Sequence, residues 1–491
     1  MLPALIILIL MVAALLSFLS KNVFLSKMLT IVSLAVSAVM SLIMVGAVSG
    51  GGTLSLVLGN APWNLSLSVG PIEAFMSCIF TIIGFMIMWA SLTMISHDVK
   101  ENLIHVFYAL IDFLIAMLCG VVFSNNVVNI FIFIEFSSFA AAGIVIVKNQ
   151  PENVRAGLKY LSLSILGSGL VLMGFAIFYS LTGALEMEAM HARLGSVFAS
   201  SQVPILWAMI FITVGVSFKS ALFPLHIWLP DAHGTAPSPS SAVLSALVLK
   251  AYIIFYIKML YVAVGSANIA ASPALSTLRF VVLCFGVLAM LCGSIMAILQ
   301  TDIKRMIAYS SVAQIGYIFT GIGLGTQLGL YAAVFHILAH AVTKSGLFLE
   351  AGSIIEQTHE RRLDKMGGIG YKMPITMGLF TIGGLSMVGI PLFVGFTSKW
   401  NFATAIMDSG YFWVMIALAI SSLLNALYYL PVVIRAFFGP DARAAQEEGK
   451  SVERPLSALL PMIVLACFVV LIALFSDPVR AIIESWVSTV W

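Results

Sequence analysis

A chain of 491 residues that is 61% hydrophobic and only 9% charged cannot fold as a soluble domain. Average soluble proteins carry roughly 25% charged residues, and no soluble core buries this much apolar sequence. The net charge of +3 is too small to suggest a nucleic-acid partner, so the class is all-α, a polytopic helical membrane protein.

The N-terminus, MLPALIILILMVAALLSFL, lacks a basic leading region and a small-residue cleavage site, and reads as a first span rather than a removed signal. At ~20 apolar residues per span, the pattern predicts about fourteen helices. They lie near 3–20, 26–48, 70–95, 104–122, 124–147, 155–182, 203–227, 238–264, 274–298, 303–324, 327–355, 373–405, 411–438 and 453–480. The cysteines (Cys78, Cys119, Cys284, Cys292 and Cys467) are scattered without a CxxC pair, so no iron–sulfur, haem or zinc framework is expected. No Walker or dinucleotide-binding glycine pattern follows a strand. No cofactor is therefore expected, and uphill movement would draw on an ion gradient or a partner subunit.

Loop cations orient the spans. Connections after odd-numbered helices hold Lys21, Lys27, Lys100, Lys148, Arg155, Lys159, Lys304 and Arg305, then Arg361, Arg362, Lys365, Lys372, Arg435, Arg443, Lys450 and Arg454. Those after even-numbered helices hold only Arg193 and Arg279. By the positive-inside rule the odd connections are cytoplasmic and both termini face outward.

The fifth helix reads EFSSFAAAG (Glu135–Gly143) and the tenth AYSSVAQIG (Ala308–Gly316). Small residues at this spacing serve close packing as readily as common descent. Yet an offset of five helices would set two such units inverted in the membrane, a build shared by many secondary transporters. Glu135 then falls opposite Ala308, so the acid belongs to one half only. A second echo, KSALF at Lys219 against KSGLF at Lys344, does not fit that offset and reads as coincidence.

Ionisable groups at membrane depth are costly and mark candidate sites. Glu135 sits mid-helix, as a static ion-pair partner or as a proton site whose pairing switches. Lys219 precedes Pro224, which frees backbone carbonyls that can solvate an ammonium. A buried lysine can shed its proton near neutral pH, which arginine cannot. His226, seven residues on, is expected on roughly the same face. A polar, proline-rich connection with Asp231, His233, Pro237 and Pro239 follows, and then an apolar helix with Lys250. Lys258, nearer its helix end, is expected to snorkel. His336, His340 and Lys344, spaced four and four, share one stripe. The lysine there and the lack of a matching carboxylate or thiolate argue for proton passage over zinc. In the twelfth helix, Gly389 and Pro391 predict an unwound middle beside Lys399, a counterpart to Lys219. Asp112 has no partner to name, and Glu350 is expected near the cytoplasmic interface.

FPLHIWLPDAHGTAPSPSSAVLSALVLK, TDIKRMIAYSSVAQIGY, FHILAHAVTKSGLFLEAGSI and GIPLFVGFTSKW resemble the signature segments of antiporter-like proton-translocating subunits. These occur in respiratory complex I, Mrp-type Na+/H+ antiporters and membrane-bound hydrogenases. The likeness runs from about the third helix to the thirteenth, and is nearest the D-type subunit of Mrp antiporters and its hydrogenase equivalent. It implies two inverted five-helix units (104–264 and 274–438) with broken helices seven and twelve, flanked by 1–103 and 453–491. It implies a proton path through Glu135, Lys219, Lys250, bridging histidines and Lys399. Ala251 replaces the usual glycine after the helix-eight lysine, and the chain ends soon after helix fourteen, without a long lateral arm.

The resemblance implies a proton-translocating subunit of a multi-subunit cation/proton antiporter in the cell membrane, not an enzyme by itself. Its partners would be other membrane subunits, lipid, H+ and, as a second cargo, Na+. The alternative is a proton-pumping subunit of a redox-driven hydrogenase or quinone oxidoreductase, and a static scaffold is the remaining rival.

Overall fold

The computed structural model describes residues 1–60, 64–439, 442–449 and 451–491. Lys450, counted among the cytoplasmic cations, lies outside the described residues.

Thirteen helices are long and apolar enough to cross a membrane. They are α1 (Leu2–Ser20), α2 (Val23–Val48), α3 (Pro71–Asp98), α4 (Glu101–Phe123), α5 (Val127–Ile146), α6 (Pro151–Thr182) and the first part of α7, α7a (Gln202–Ser220). After them come α8 (Ser238–Val264), α9 (Pro273–Ile298), α10 (Ile303–Leu324), α11 (Gln327–Thr358), α13 (Phe412–Phe438) and α14 (Leu456–Leu474). The remaining predicted crossing, α12, is made in two pieces, α12a (Pro374–Val388) and α12b (Val394–Ser409). The all-α membrane class holds, with boundaries close to those read from hydropathy.

Three features depart from expectation. A β-hairpin, β1 (Leu54–Leu58) antiparallel to β2 (Leu65–Val69), joins α2 to α3 with Leu56 opposite Leu67. Its alternating LSLVL and LSLSV carry the two-residue period of a strand, a signal hidden by its brevity. The proline-rich connection after α7a is not a solvent loop. Leu229–Thr235 forms a buried half-helix, α7b, with Pro230 in its first turn, where a missing N–H costs nothing. The last span stops at Leu474, and Asp477–Val490 forms a separate helix.

Burial sorts the helices. In α8, α10 and α11 nearly every residue is inside, so they form the axis. Around them α1, α2, α6 and α13 present many exposed leucines, isoleucines, valines and phenylalanines outward, as lipid or neighbouring subunits require. The small residues of the tenth-helix motif do pack closely: a Cβ on Gly316 would lie 2.5 Å from the Met290 amide nitrogen of α9. Local π-helical turns interrupt α3 at Ile79–Ile83 and α8 at Leu244–Val248 and Met259–Val264.

Candidate functional site

The break in α7 explains Lys219. Ala221 takes a left-handed φ of 57°, ending α7a two residues after the lysine. The helix end leaves the Phe218 carbonyl free to accept from Trp228 Nε1 at 2.9 Å. Lys219 Nζ donates to Ser138 Oγ on α5 and to Ser164 Oγ on α6, both at 2.9 Å. It lies 5.3 Å from the Tyr252 ring centre. Glu135 Oε1 stands 3.8 Å away, beyond hydrogen-bond length, and has no other partner among the described residues. The lysine is therefore held by neutral hydroxyls and only loosely paired with its acid. That arrangement can open without stripping the ammonium of its hydrogen bonds.

Lys250 is fully buried in α8, and its Nζ donates to the Ser245 carbonyl of its own helix. Ser245 sits in a π-helical turn, where the ordinary i to i+4 ladder is disturbed and a carbonyl can accept elsewhere. The Ser245 hydroxyl also meets Ser311 Oγ of α10 at 3.0 Å. His233, His336, His340 and Lys344 all lie within electrostatic reach of Lys250.

The histidine stripe of α11 is continuous as expected. His336 and His340 stack with centres 6.1 Å apart, and His336 Nδ1 shares a 2.8 Å hydrogen bond with Ser398 Oγ of α12b. His336 Nε2 and both nitrogens of His340 are buried without a partner among the described residues. Lys344 Nζ donates to the Ile307 carbonyl at 3.0 Å, to Ser310 Oγ and to Tyr429 OH at 3.1 Å.

Lys399 lies beyond the α12 break. Its Nζ donates to the Val388 carbonyl at 2.8 Å and to Ser422 Oγ at 3.0 Å, and it lies 5.4 Å from the Tyr317 ring centre. Gly389 makes this possible twice over. Its φ of 93° suits glycine, and a Cβ there would lie 2.8 Å from Lys399 Cδ. Lys219 precedes its break and Lys399 follows its own, so the two are not positional counterparts.

Several expectations change. His226 is not on the Lys219 face, because α7a ends first; it stacks on Phe223 at 5.2 Å. His233 lies inside, stacked on Phe348 at 4.8 Å, with neither ring nitrogen partnered by a described residue. Glu350 is buried in α11, with Oε2 unpartnered among the described residues. Lys258 does not snorkel but donates to the Val122 carbonyl at 2.8 Å and pairs with Glu73 at 3.1 Å. Asp112 is bound by Thr30 and Ser33 of α2. The KSALF and KSGLF lysines, read as a chance echo, both rest on a helical serine beside a tyrosine.

Sequence reasoning missed Glu73, Tyr252, Tyr317 and Tyr429. Glu73 was legible as a lone acid in the apolar run PIEAF. Nothing in a single sequence marks a tyrosine as a lysine's neighbour. Among the described residues, no group of three His, Cys, Asp or Glu is placed to hold a metal ion.

Comparison with known proteins places this arrangement. The family model described as NADH:quinone oxidoreductase/Mrp antiporter, TM, matches residues 124–425. The chain belongs to that family. It is 35% identical over 429 residues to NADH-quinone oxidoreductase subunit N of Desulforudis audaxviator, covering 85% of this chain and 83% of that protein. It is 27% identical over 431 residues to the D-type Na(+)/H(+) antiporter subunit of Alkalihalophilus pseudofirmus, covering 87% and 84%. Among solved structures, a chain of an archaeal membrane-bound sulfane sulfur reductase superposes with a TM-score of 0.90 at 24% identity, covering 99% of this chain and 97% of that one. A chain of the Mrp complex from Dietzia sp. DQ12-45-1b gives 0.88 at 20%, covering 100% and 97%. These two share the fold. The family match spans α5 through the first half of α13, and so includes Glu135, Lys219, Lys250, the histidine stripe and Lys399.

Proposed function

We propose that this chain is the proton-translocating subunit of a multi-subunit cation/proton antiporter, of the Mrp type and D-like. The chain itself is neither redox nor hydrolytic catalyst. It works among other membrane subunits, with both termini on the outer face, and residues 104–264 and 274–438 act as two inverted units. The observation that carries the reading is the loose Glu135–Lys219 pair, 3.8 Å apart and held open by Ser138 and Ser164.

A proton reaching Glu135 removes its attraction for Lys219. Unit charges ~4 Å apart attract by about 4 kcal/mol at an effective dielectric of ~20. A change of that size moves a neighbouring proton equilibrium about a thousandfold, at ~1.4 kcal/mol per tenfold. Lys219 then gives its charge toward Lys250, and the proton passes along His340 and His336. Ser398 links that stripe to α12b, which carries Lys399, where it leaves beside the broken helix. The buried nitrogens without protein partners are the atoms that internal water would serve in such a relay. Proton flux into vesicles containing the intact complex, with Lys219→Ala and Glu135→Ala, tests the reading. Undiminished coupled transport in both would sink it.

A second reading keeps the path and changes the driver: a redox-powered complex in place of a sodium gradient. The higher identity to the quinone oxidoreductase relative, 35% against 27% for the D-type antiporter relative, favours it. Identifying the co-purifying subunits separates the two.

A further inference from the structure

We propose that Asp112 is a proton-binding site in its own right, outside the Glu135–Lys399 series, set into a column of hydroxyls on α2. Asp112 is fully buried in α4. Thr30 Oγ1 donates to Asp112 Oδ2 at 2.6 Å, and Ser33 Oγ donates to Oδ1 at 3.1 Å. Ser33 also donates to the Thr30 carbonyl at 3.0 Å.

What favours a bound proton is the company the carboxyl keeps. Both of its oxygens accept from neutral hydroxyls, Oδ2 from Thr30 and Oδ1 from Ser33. An ionised carboxylate in an apolar interior with no cation beside it is far more costly than the neutral acid.

Among the described residues, no charged group is close enough to pair with Asp112. The ionisable residues on the elements packed around it are engaged elsewhere. Lys27 of α2 donates to the Leu92 carbonyl at 2.8 Å, Tyr108 of α4 bonds Ser91, and Glu73 of α3 holds Lys258 of α8. Glu135 of α5 faces Lys219, while His105, Cys78 and Cys119 form no hydrogen bond with the acid. Helix α1 carries no ionisable side chain.

The hydroxyls continue on both sides. Ser37, one turn beyond Ser33, is fully buried with its Oγ unpartnered among the described residues, and Ser41 lies 3.4 Å from Thr81 on the π-helical turn of α3. At 1.5 Å rise per residue, Ser26 to Ser41 spans ~22 Å, against a hydrocarbon core of ~30 Å. Asp112 lies within this column and is its one ionisable member among the described residues. Its proton can exchange with the Thr30 and Ser33 hydroxyls that bond it. The same oxygens would also suit a sodium ion, so the experiment separates the two.

Infrared difference spectra of the purified complex in lipid, with and without Asp112→Asn, read the protonated carboxyl directly. A carbonyl band that is lost in Asp112→Asn, fades as pH is raised and ignores sodium at constant pH is the expected result. Absence of the band, a band unchanged over the whole pH range in which transport runs, or its removal by sodium would each overturn the assignment. If Asp112→Asn does not assemble, Thr30→Val serves: losing the donor to Oδ2 should raise the band's frequency, and an unshifted band refutes the geometry. Repeating the measurement in Lys219→Ala keeps this result separate from the main path, because the Asp112 band should persist there.

Discussion

Lys219 rests on Ser138 and Ser164, and Lys344 on Ser310, Tyr429 and the Ile307 carbonyl. Of the two, only Lys219 has an acid paired with it among the described residues. Both nevertheless sit beside matching serine–tyrosine pairs. In the first, Ser137 Oγ meets Tyr252 OH at 2.9 Å; in the second, Ser310 Oγ meets Tyr429 OH at 2.9 Å. Lys219 lies 5.3 Å from the first tyrosine ring centre and Lys344 lies 5.8 Å from the second. The first cradle has Glu135 beside it, whereas the matching position in the second is Ala308. A lysine with a loosely bound acid can be switched by protonating that acid. A lysine among hydroxyls and carbonyls alone responds only to the charge of its neighbours, here Lys250. Uptake and relay would thus use one scaffold, with one carboxylate deciding which is which.

The strongest way to break this comparison is at the lysines. Lys219→Ala should abolish coupled proton flux in vesicles, and Lys219→Arg should do the same because a guanidinium keeps its proton. Lys344→Ala should match them; retained flux would make Lys344 a structural tether. Glu135→Gln converts the first cradle to the second kind and should lower flux less than Lys219→Ala. Combined with Lys219→Ala it should cause no further loss, since residues acting as a pair are not additive.

Smaller effects sharpen the picture. Gly389→Ala forces a side chain into positive φ against Lys399 and should cost about 1–3 kcal/mol, seen as a lower melting temperature in detergent together with slowed flux. Ser164→Ala removes one of two hydroxyls from Lys219 and should cost about 1–2 kcal/mol while leaving measurable flux. Arg362→Ala should change nothing measurable. Its hydrogen bonds to Asp364, then its charge, hold that carboxyl below its ordinary value. Such a pair contributes only at pH above the carboxylate range and fades as pH falls through it. On an exposed loop its share is screened away, so acid titration of the variant and the parent should coincide.

Much of this was legible. The helix breaks followed from glycine and proline, the α11 stripe from its four-residue spacing, and the lone acid from a single glutamate in FIFIEFSSF. What failed, failed for reasons of packing. His226 was placed by helical periodicity through a helix that had already ended at Ala221. Lys258 was judged by distance from a helix end, although the neighbours that cover a side chain decide whether it reaches solvent. Asp112 found its partners 82 and 79 residues away, at Thr30 and Ser33, a separation no local pattern can bridge.

The sequence by itself determined the solvent, the number of crossings and the ionisable residues worth attention. Apolar length and the cost of a buried charge are properties of single segments. The tertiary structure alone decided the pairings: Lys219 with two serines and an acid from other helices, Lys344 with Ser310 and Tyr429, and Asp112 with the hydroxyls of α2. Those contacts depend on how helices far apart in the chain are rotated against each other, and rotation is set by the packing of the whole bundle.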